Sequence, residues 1–390
     1  MSRRRRTKPQ KSDKETTIFK MSDDIANLDH GDIGDNLLYY DYSIKHLMNL
    51  HRKGMTEEDP AFLSAYRSFE GEVFENFIYE KLLRYAREHD AVEKFIVKGP
   101  HKKRTKALSS TLSVNWKGQI VYRTRQKEIG EFDSLIFTKT ELYFVEMTLV
   151  KSVTNLKKRL RKKKALLETI FPDYEVKALL VLNEGATGTS QLPDYCTVWI
   201  TRDFCAKKVF EWLVKKDQDR RRPFYRINHH KMVGTAGLNV RYFKYYSTLG
   251  WILRKVRAKR EGVIDLDFLK SPTVSRYHNL YTKIYIGYME PDEFRRMFPK
   301  VPASQADKVF VALEKEHSDE LTLTYFMRHS RKHLDNITTN KKGEVSIAKK
   351  DPFGITVTEV AHISKMLNPS FRLTADEIET IEKRLDGFRV

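Results

Sequence analysis

Residues 130–152, GEFDSLIFTKTELYFVEMTLVKS, constrain the chain more than any other stretch. Two apolar runs flank a short polar segment and read as paired antiparallel strands. A two-residue loop, Lys139–Thr140, and a four-residue loop, Thr138–Glu141, give the same pairing. On either, Asp133 stands directly opposite Glu146, with Cβ atoms ~4.5–5.5 Å apart on one face. Leu135, Phe137, Leu142 and Phe144 share that face, and Thr148 lies on it two residues beyond Glu146. The other face, with Val145, Met147 and Leu149, is apolar too, so the second strand is expected in the interior of its sheet.

Two like charges facing each other are destabilising without compensation. The simplest compensation is a bound divalent cation, Mg²⁺ or Mn²⁺, since hard cations prefer carboxylate oxygens. The plainer alternative is pairing with basic neighbours such as Arg123 or Arg125.

Residues 1–20 form a basic arm with nothing from which to build a core and are expected to be disordered. Residues 21–60 make an N-terminal helical segment, with a helix over 35–53 and a break at Pro60. Residues 61–216 then read as an α/β domain with a mixed sheet. Within it a long helix runs over 61–87, carrying Phe69, Val73, Phe77 and Leu83 at helical spacing. Short strands follow at 95–97, 112–116 and 120–123, and then the hairpin. A basic helix spans 155–171, strands span 176–182 and 197–201, and a helix spans 203–216. The polar stretch KKDQDRRRP, residues 215–223, marks a domain boundary. Residues 223–390 are expected to be mainly helical, with helices over 241–259, 292–298, 304–317, 321–334, 357–367 and 375–385. Thr374 and Glu377 form a capping box for the last.

Of the 390 residues, 72 are Lys or Arg and 52 are Asp or Glu, a formal net charge of +20. Such an excess attracts polyanions and points to nucleic acid. Two cysteines, Cys196 and Cys205, exclude a disulfide scaffold and a four-cysteine zinc site. No apolar run is long enough to span a membrane, and the basic N-terminus lacks a secretory apolar core. A cytoplasmic location is expected. Residues 157–164, KKRLRKKK, put seven cations in eight positions just after the two acids. Lys158, Arg159, Arg161, Lys162 and Lys163 are the expected nucleic-acid contacts; a charge run of this kind is otherwise a solvated helix face.

The order of these parts resembles the PD-(D/E)xK nuclease superfamily. There, an aspartate on one strand is followed by Glu-x-Lys on the next, and a preceding helix often carries a glutamate in a Gly-x-x-Phe-Glu context. Here the residues are Asp133, then Glu146-Met147-Thr148, with Gly71-Glu72-Val73-Phe74-Glu75 on the helix before the sheet. The resemblance covers roughly residues 61–215 and implies a restriction-endonuclease-like core. It also implies that Asp133, Glu146 and Glu75 bind metal, with Glu72 in support. Thr148 departs from the pattern, since lysine is usual there. Some members, viral cap-snatching endonucleases among them, carry Glu-x-Thr and take a lysine from elsewhere; Lys151, Lys157 and Lys164 are the candidates here. Lys151 has the wrong strand parity and would need a bulge or a strand end to reach the metal.

The implied chemistry is phosphodiester hydrolysis, with metal polarising the phosphate and lowering the pKa of a bound water. The leading expectation is an endonuclease acting on DNA, with no membrane partner and a homo-oligomer compatible with the sequence. The alternatives are an RNA endonuclease and a non-catalytic nucleic-acid-binding protein on a decayed nuclease core. Thr148 favours the last of these, and retention of two facing acids opposes it.

Overall fold

The computed structural model describes residues 41–98, 111–115, 118–124, 128–201, 204–216, 230–238 and 240, and, in stretches, 243–387. The basic arm, Arg125, Arg220–Arg222 and the 215–223 boundary beyond residue 216 lie outside these residues. The chain divides into two compact units, residues 1–123 with 128–242, and residues 124–127 with 243–390. The division therefore falls after residue 242, beyond the basic stretch at 215–223.

The first unit is mixed α/β. Helix α1 (Asp41–Arg52) packs on the long α2 (Pro60–Glu88). Asp59 caps α2, accepting from the amides of Ala61 at 2.8 Å and Phe62 at 3.4 Å, and Pro60 occupies the first turn, where no amide donor is needed. Five strands form the main sheet in the order β1-β5-β6-β7-β8: β1 (Lys94–Val97), β5 (Ser134–Phe137), β6 (Glu141–Thr148), β7 (Glu175–Asn183) and β8 (Cys196–Thr201). The β1–β5 and β5–β6 pairs are antiparallel, and β6–β7 and β7–β8 are parallel. The parallel step from β6 to β7 requires a crossover, which α3 (Leu156–Ile170) supplies. A three-stranded antiparallel sheet, β2 (Thr111–Val114), β3 (Ile120–Arg123) and β4 (Glu128–Phe132), precedes β5.

Side chains sort by strand parity. Ile136, Tyr143, Val145, Met147, Leu179 and Val181 join the core formed with α2 and with α4 (Ala206–Lys216). Leu135, Phe137, Leu142 and Phe144 alternate with them, point to the opposite face and are fully or almost fully buried. On that face Phe171, just past the end of α3, meets the Phe137 ring edge-on at 5.4 Å. Gly130 on β4 lies so close to α3 that an added Cβ would stand 2.9 Å from Leu166 Cδ2. The outer edge of β1 is covered: the Phe95 amide donates to Lys231 O at 2.7 Å, and the Val233 amide donates to Phe95 O at 3.1 Å. Residues 231–233 thus belong with the first unit and leave no open β1 edge there.

The second unit corrects the expectation of a mainly helical domain. It holds a five-stranded antiparallel sheet in the order β13-β12-β11-β10-β9. The strands are β9 (Lys283–Met289), β10 (Val309–Lys315), β11 (Leu321–Arg328), β12 (Leu334–Thr339) and β13 (Val345–Ala348). The segments 304–317 and 321–334, expected to be helical, contain β10 and β11 instead. In VFVALEK the apolar run Val309–Leu313 is continuous, so its period does not separate strand from buried helix, and LTLTYFMR is rich in β-branched and aromatic residues that suit a pleated surface. Helices do form at Tyr245–Val256 (α5), Pro291–Met297 (α8), Val357–Met366 (α9) and Ala375–Gly387 (α10), with the short α6 (Leu266–Leu269) and α7 (Pro272–Tyr281) between α5 and β9. The capping box is present: the Thr374 amide donates to Glu377 Oε2 at 2.8 Å. Tyr245 stacks on Tyr277 at 5.7 Å and is buried, so it packs this unit.

Candidate active site

Asp133 sits at the joint between β4 and β5. The hairpin register runs through Ser134–Val145 and Leu135–Phe144, and one further step sets Asp133 opposite Glu146. On the other side, β1 pairs Val97 with Ser134, and one further step sets Lys98 opposite Asp133. The Lys98 amide donates to Asp133 O at 3.1 Å, which fixes that step. Continuing those registers by one step places Lys98, just past β1, and Asp133, just before β5, in one transverse row with Glu146 of β6.

The row is tied down from several sides. Tyr79 of α2 donates its hydroxyl to Asp133 O at 3.1 Å, and the Met147 amide donates to Asp133 Oδ2 at 3.2 Å. Lys98 Nζ lies 2.8 Å from Glu75 Oε2, 3.6 Å from Asp133 Oδ1 and 3.8 Å from Glu131 Oε1. Glu131 also accepts from Gln119 Nε2 at 2.9 Å, linking the β2–β3 turn to the lysine. Across the row, Glu146 pairs with two cations of α3: Lys163, and Arg159 through Nη2 at 3.0 Å. Lys163 also lies over the Phe132 ring at 5.6 Å.

Burial sets the direction for the two glutamates, and facing charges set it for the lysine. Glu146 is 1% exposed, and burial pushes its carboxyl above the usual carboxylate range. Lys163 and Arg159 oppose that shift, and the Asp133 charge adds to it. Burial also raises Glu75, to about 7, with a further push from Asp133 and a counter-pull from Lys98. For Lys98, burial disfavours the ammonium, but Asp133, Glu75 and Glu131 outweigh it and raise its pKa.

Of the residues singled out from sequence, Asp133, Glu146 and Glu75 come together here. Glu72 lies one turn back on α2, near enough for its charge to raise Glu75. Thr148 ends β6, where its hydroxyl accepts from the Val150 amide at 3.3 Å. Lys151 is exposed in the following loop, and its carbonyl accepts from the Thr187 amide at 2.8 Å. Lys157 is half-buried near the start of α3. Lys164 pairs with Glu168 and lies over the Tyr195 ring at 5.2 Å. The structure therefore brings none of these three lysines to the row. Lys158, Arg161 and Lys162 are half-buried on α3, while Arg159 and Lys163 turn to Glu146. Arg123, weighed as a partner for the acids, is exposed on β3.

Lys98 was not singled out. It directly follows a recognised strand, but its place beside Asp133 depends on β1 pairing with β5, a long-range choice that local periodicity does not encode. Among the described residues no group of three or more His, Cys, Asp or Glu side chains is gathered so as to hold a metal ion. No protein-family model, curated protein or solved structure matches the chain.

Proposed function

We propose that the protein is a metal-dependent endonuclease that hydrolyses phosphodiester bonds in nucleic acid, with DNA the favoured substrate, on a restriction-endonuclease-like core. The observation that carries this reading is the row Lys98–Asp133–Glu146, two opposed acids flanked by a lysine, beside the basic α3.

The donor chemistry fits Mg²⁺ or Mn²⁺. These cations commonly take one or two protein carboxylates and complete their shell with water and substrate phosphate, so a third protein ligand is not required. Asp133 and Glu146 would be the ligands, with Glu75 close by through Lys98. Bound there, the cation would polarise the phosphate and lower the pKa of a water. The chain's own groups do the rest. The Met147 amide holds the Asp133 carboxylate, and Lys98 Nζ offers positive charge next to Asp133 Oδ1 for an oxygen that gains negative charge. The cations of α3 hold the phosphate backbone.

A second reading, binding without cleavage, draws support from Thr148 in the usual lysine position and from the pairing of both Glu146 oxygens with α3 cations. Incubation with single- and double-stranded DNA and RNA in Mg²⁺, Mn²⁺ or EDTA separates the two. Cation-dependent cutting, absent in Asp133→Asn, is the expected result, and the substrate cut decides between DNA and RNA. Tight binding with no cutting under any cation would favour the second reading.

A further inference from the structure

The two cations on Glu146 are not equivalent. The Lys163 side chain is 11% exposed and is packed over Phe132, so it is fixed within the protein. The Arg159 side chain is 44% exposed, one turn nearer the start of α3, and reaches down to Glu146 Oε2 from the surface. Glu146 itself has a side chain only 2% exposed. One oxygen of the acid is thus held by an interior lysine, and the other by a guanidinium that solvent, and any solute, can reach.

Taking the site as the metal-dependent centre proposed above, we infer that Arg159 is a positioning residue that couples nucleic-acid binding to cation binding. In the free protein its guanidinium neutralises Glu146 and repels a divalent cation approaching the same oxygen. Arginine is suited to bidentate capture of phosphate oxygens, and α3 presents Arg159 among the cations expected to meet the nucleic-acid backbone. A phosphate that captures Arg159 takes it from Glu146. The freed oxygen is then a buried carboxylate short of countercharge, a costly state that a divalent cation relieves. Nucleic acid therefore raises the affinity for the cation, and by thermodynamic reciprocity the cation raises the affinity for nucleic acid by the same factor. Lys163 stays on the first oxygen throughout and keeps the acid aligned.

The test is calorimetric titration of the full chain with Mn²⁺, alone and with a short phosphorothioate DNA duplex or the RNA duplex of the same sequence. In wild type, Mn²⁺ binding tightens about tenfold when nucleic acid is present, within the usual range of coupling between sites. Arg159→Ala binds Mn²⁺ without nucleic acid about as tightly as wild type does with it, and gains little from the duplex; Arg159→Lys falls between. Equal Mn²⁺ affinity with and without either duplex in wild type would overturn the coupling while leaving the hydrolase reading in place. So would an Arg159→Ala protein that binds Mn²⁺ no more tightly than wild type. No Mn²⁺ binding in any protein, with or without nucleic acid, would remove both the coupling and the proposed metal centre.

Discussion

The main-chain amide of Met147 donates to Oδ2 of Asp133 at 3.2 Å, so the aspartate is held by the strand that carries Glu146. The spacing of the two acids is set by hairpin backbone rather than by two free side chains. With Tyr79 and the Lys98 amide on the Asp133 carbonyl, the joint between β4 and β5 is anchored from three elements. A preorganised pair of this kind is what a hydrolytic centre needs.

Lys98 is expected to be the electrostatic keystone of the row. Its side chain is 14% exposed and faces Glu75, Asp133 and Glu131. Lys98→Met leaves three half-buried acids without their countercharge and should cost about 3 kcal/mol, the low end of the scale for breaking one side of a buried ion pair. Lys98→Met with Glu75→Gln should recover much of that loss in urea unfolding. A single variant as stable as wild type would show that the contacts do not hold the fold.

Glu75 gives stability a definite pH dependence. Its folded pKa, about 7, lies above its ordinary value of 4.5, so the folded state holds the proton more tightly than the unfolded chain. The stabilisation from that proton is fully present below about 4.5 and is lost as pH rises through about 7. Glu75→Gln should remove this loss. Its stability relative to wild type should climb between about pH 4.5 and 7 and level off above, as read by urea denaturation at stepped pH. A difference that does not vary with pH would contradict the assignment.

The basic face of α3 should appear in salt dependence. Each phosphate contact contributes about 0.9 to the slope of log affinity against log salt on duplex DNA. Arg161→Ala should flatten that slope by about this amount. Lys207→Ala should leave it unchanged, since Lys207 is exposed on α4, across the sheet from α3. Equal effects of the two changes would mean that binding follows net charge rather than α3.

In the second unit, Gly287 on β9 is a packing requirement. A Cβ there would lie 2.4 Å from the Phe371 carbonyl oxygen and 2.8 Å from Leu373 Cδ1. Gly287→Ala should destabilise this unit by about 3 kcal/mol, at the upper end of overpacking costs. Thermal unfolding monitored through this unit checks it, and an unperturbed variant would argue against the β9 arrangement.

The hairpin was legible because strand parity and loop length together leave one pairing, and it alone sets Asp133 against Glu146. The long α2 was legible from its apolar spacing and from the break at Pro60, and α3 as the basic helix between two strands. Lys98 was hidden because its position depends on which distant strand lies next to β5. Lys163 and Arg159 were visible as charge but not as partners of Glu146, because a run of seven cations in eight positions does not say which side chains turn inward. The second unit misled for a different reason. The apolar part of VFVALEK, Val309–Leu313, is continuous and so shows neither strand nor helix period, and its strand state is fixed by pairing with β9 and β11.

The most direct test of the proposed hydrolytic role of the row is single-turnover cleavage by wild type and by Glu146→Gln in Mn²⁺, with folding of both checked by circular dichroism. Glutamine keeps the shape of the side chain and removes the charge that would hold the cation. A rate lower by at least about a hundredfold in a folded variant, the scale of losing one preorganised electrostatic contact, is the predicted result. Cleavage by the variant at the wild-type rate would contradict a catalytic role for the Asp133–Glu146 pair.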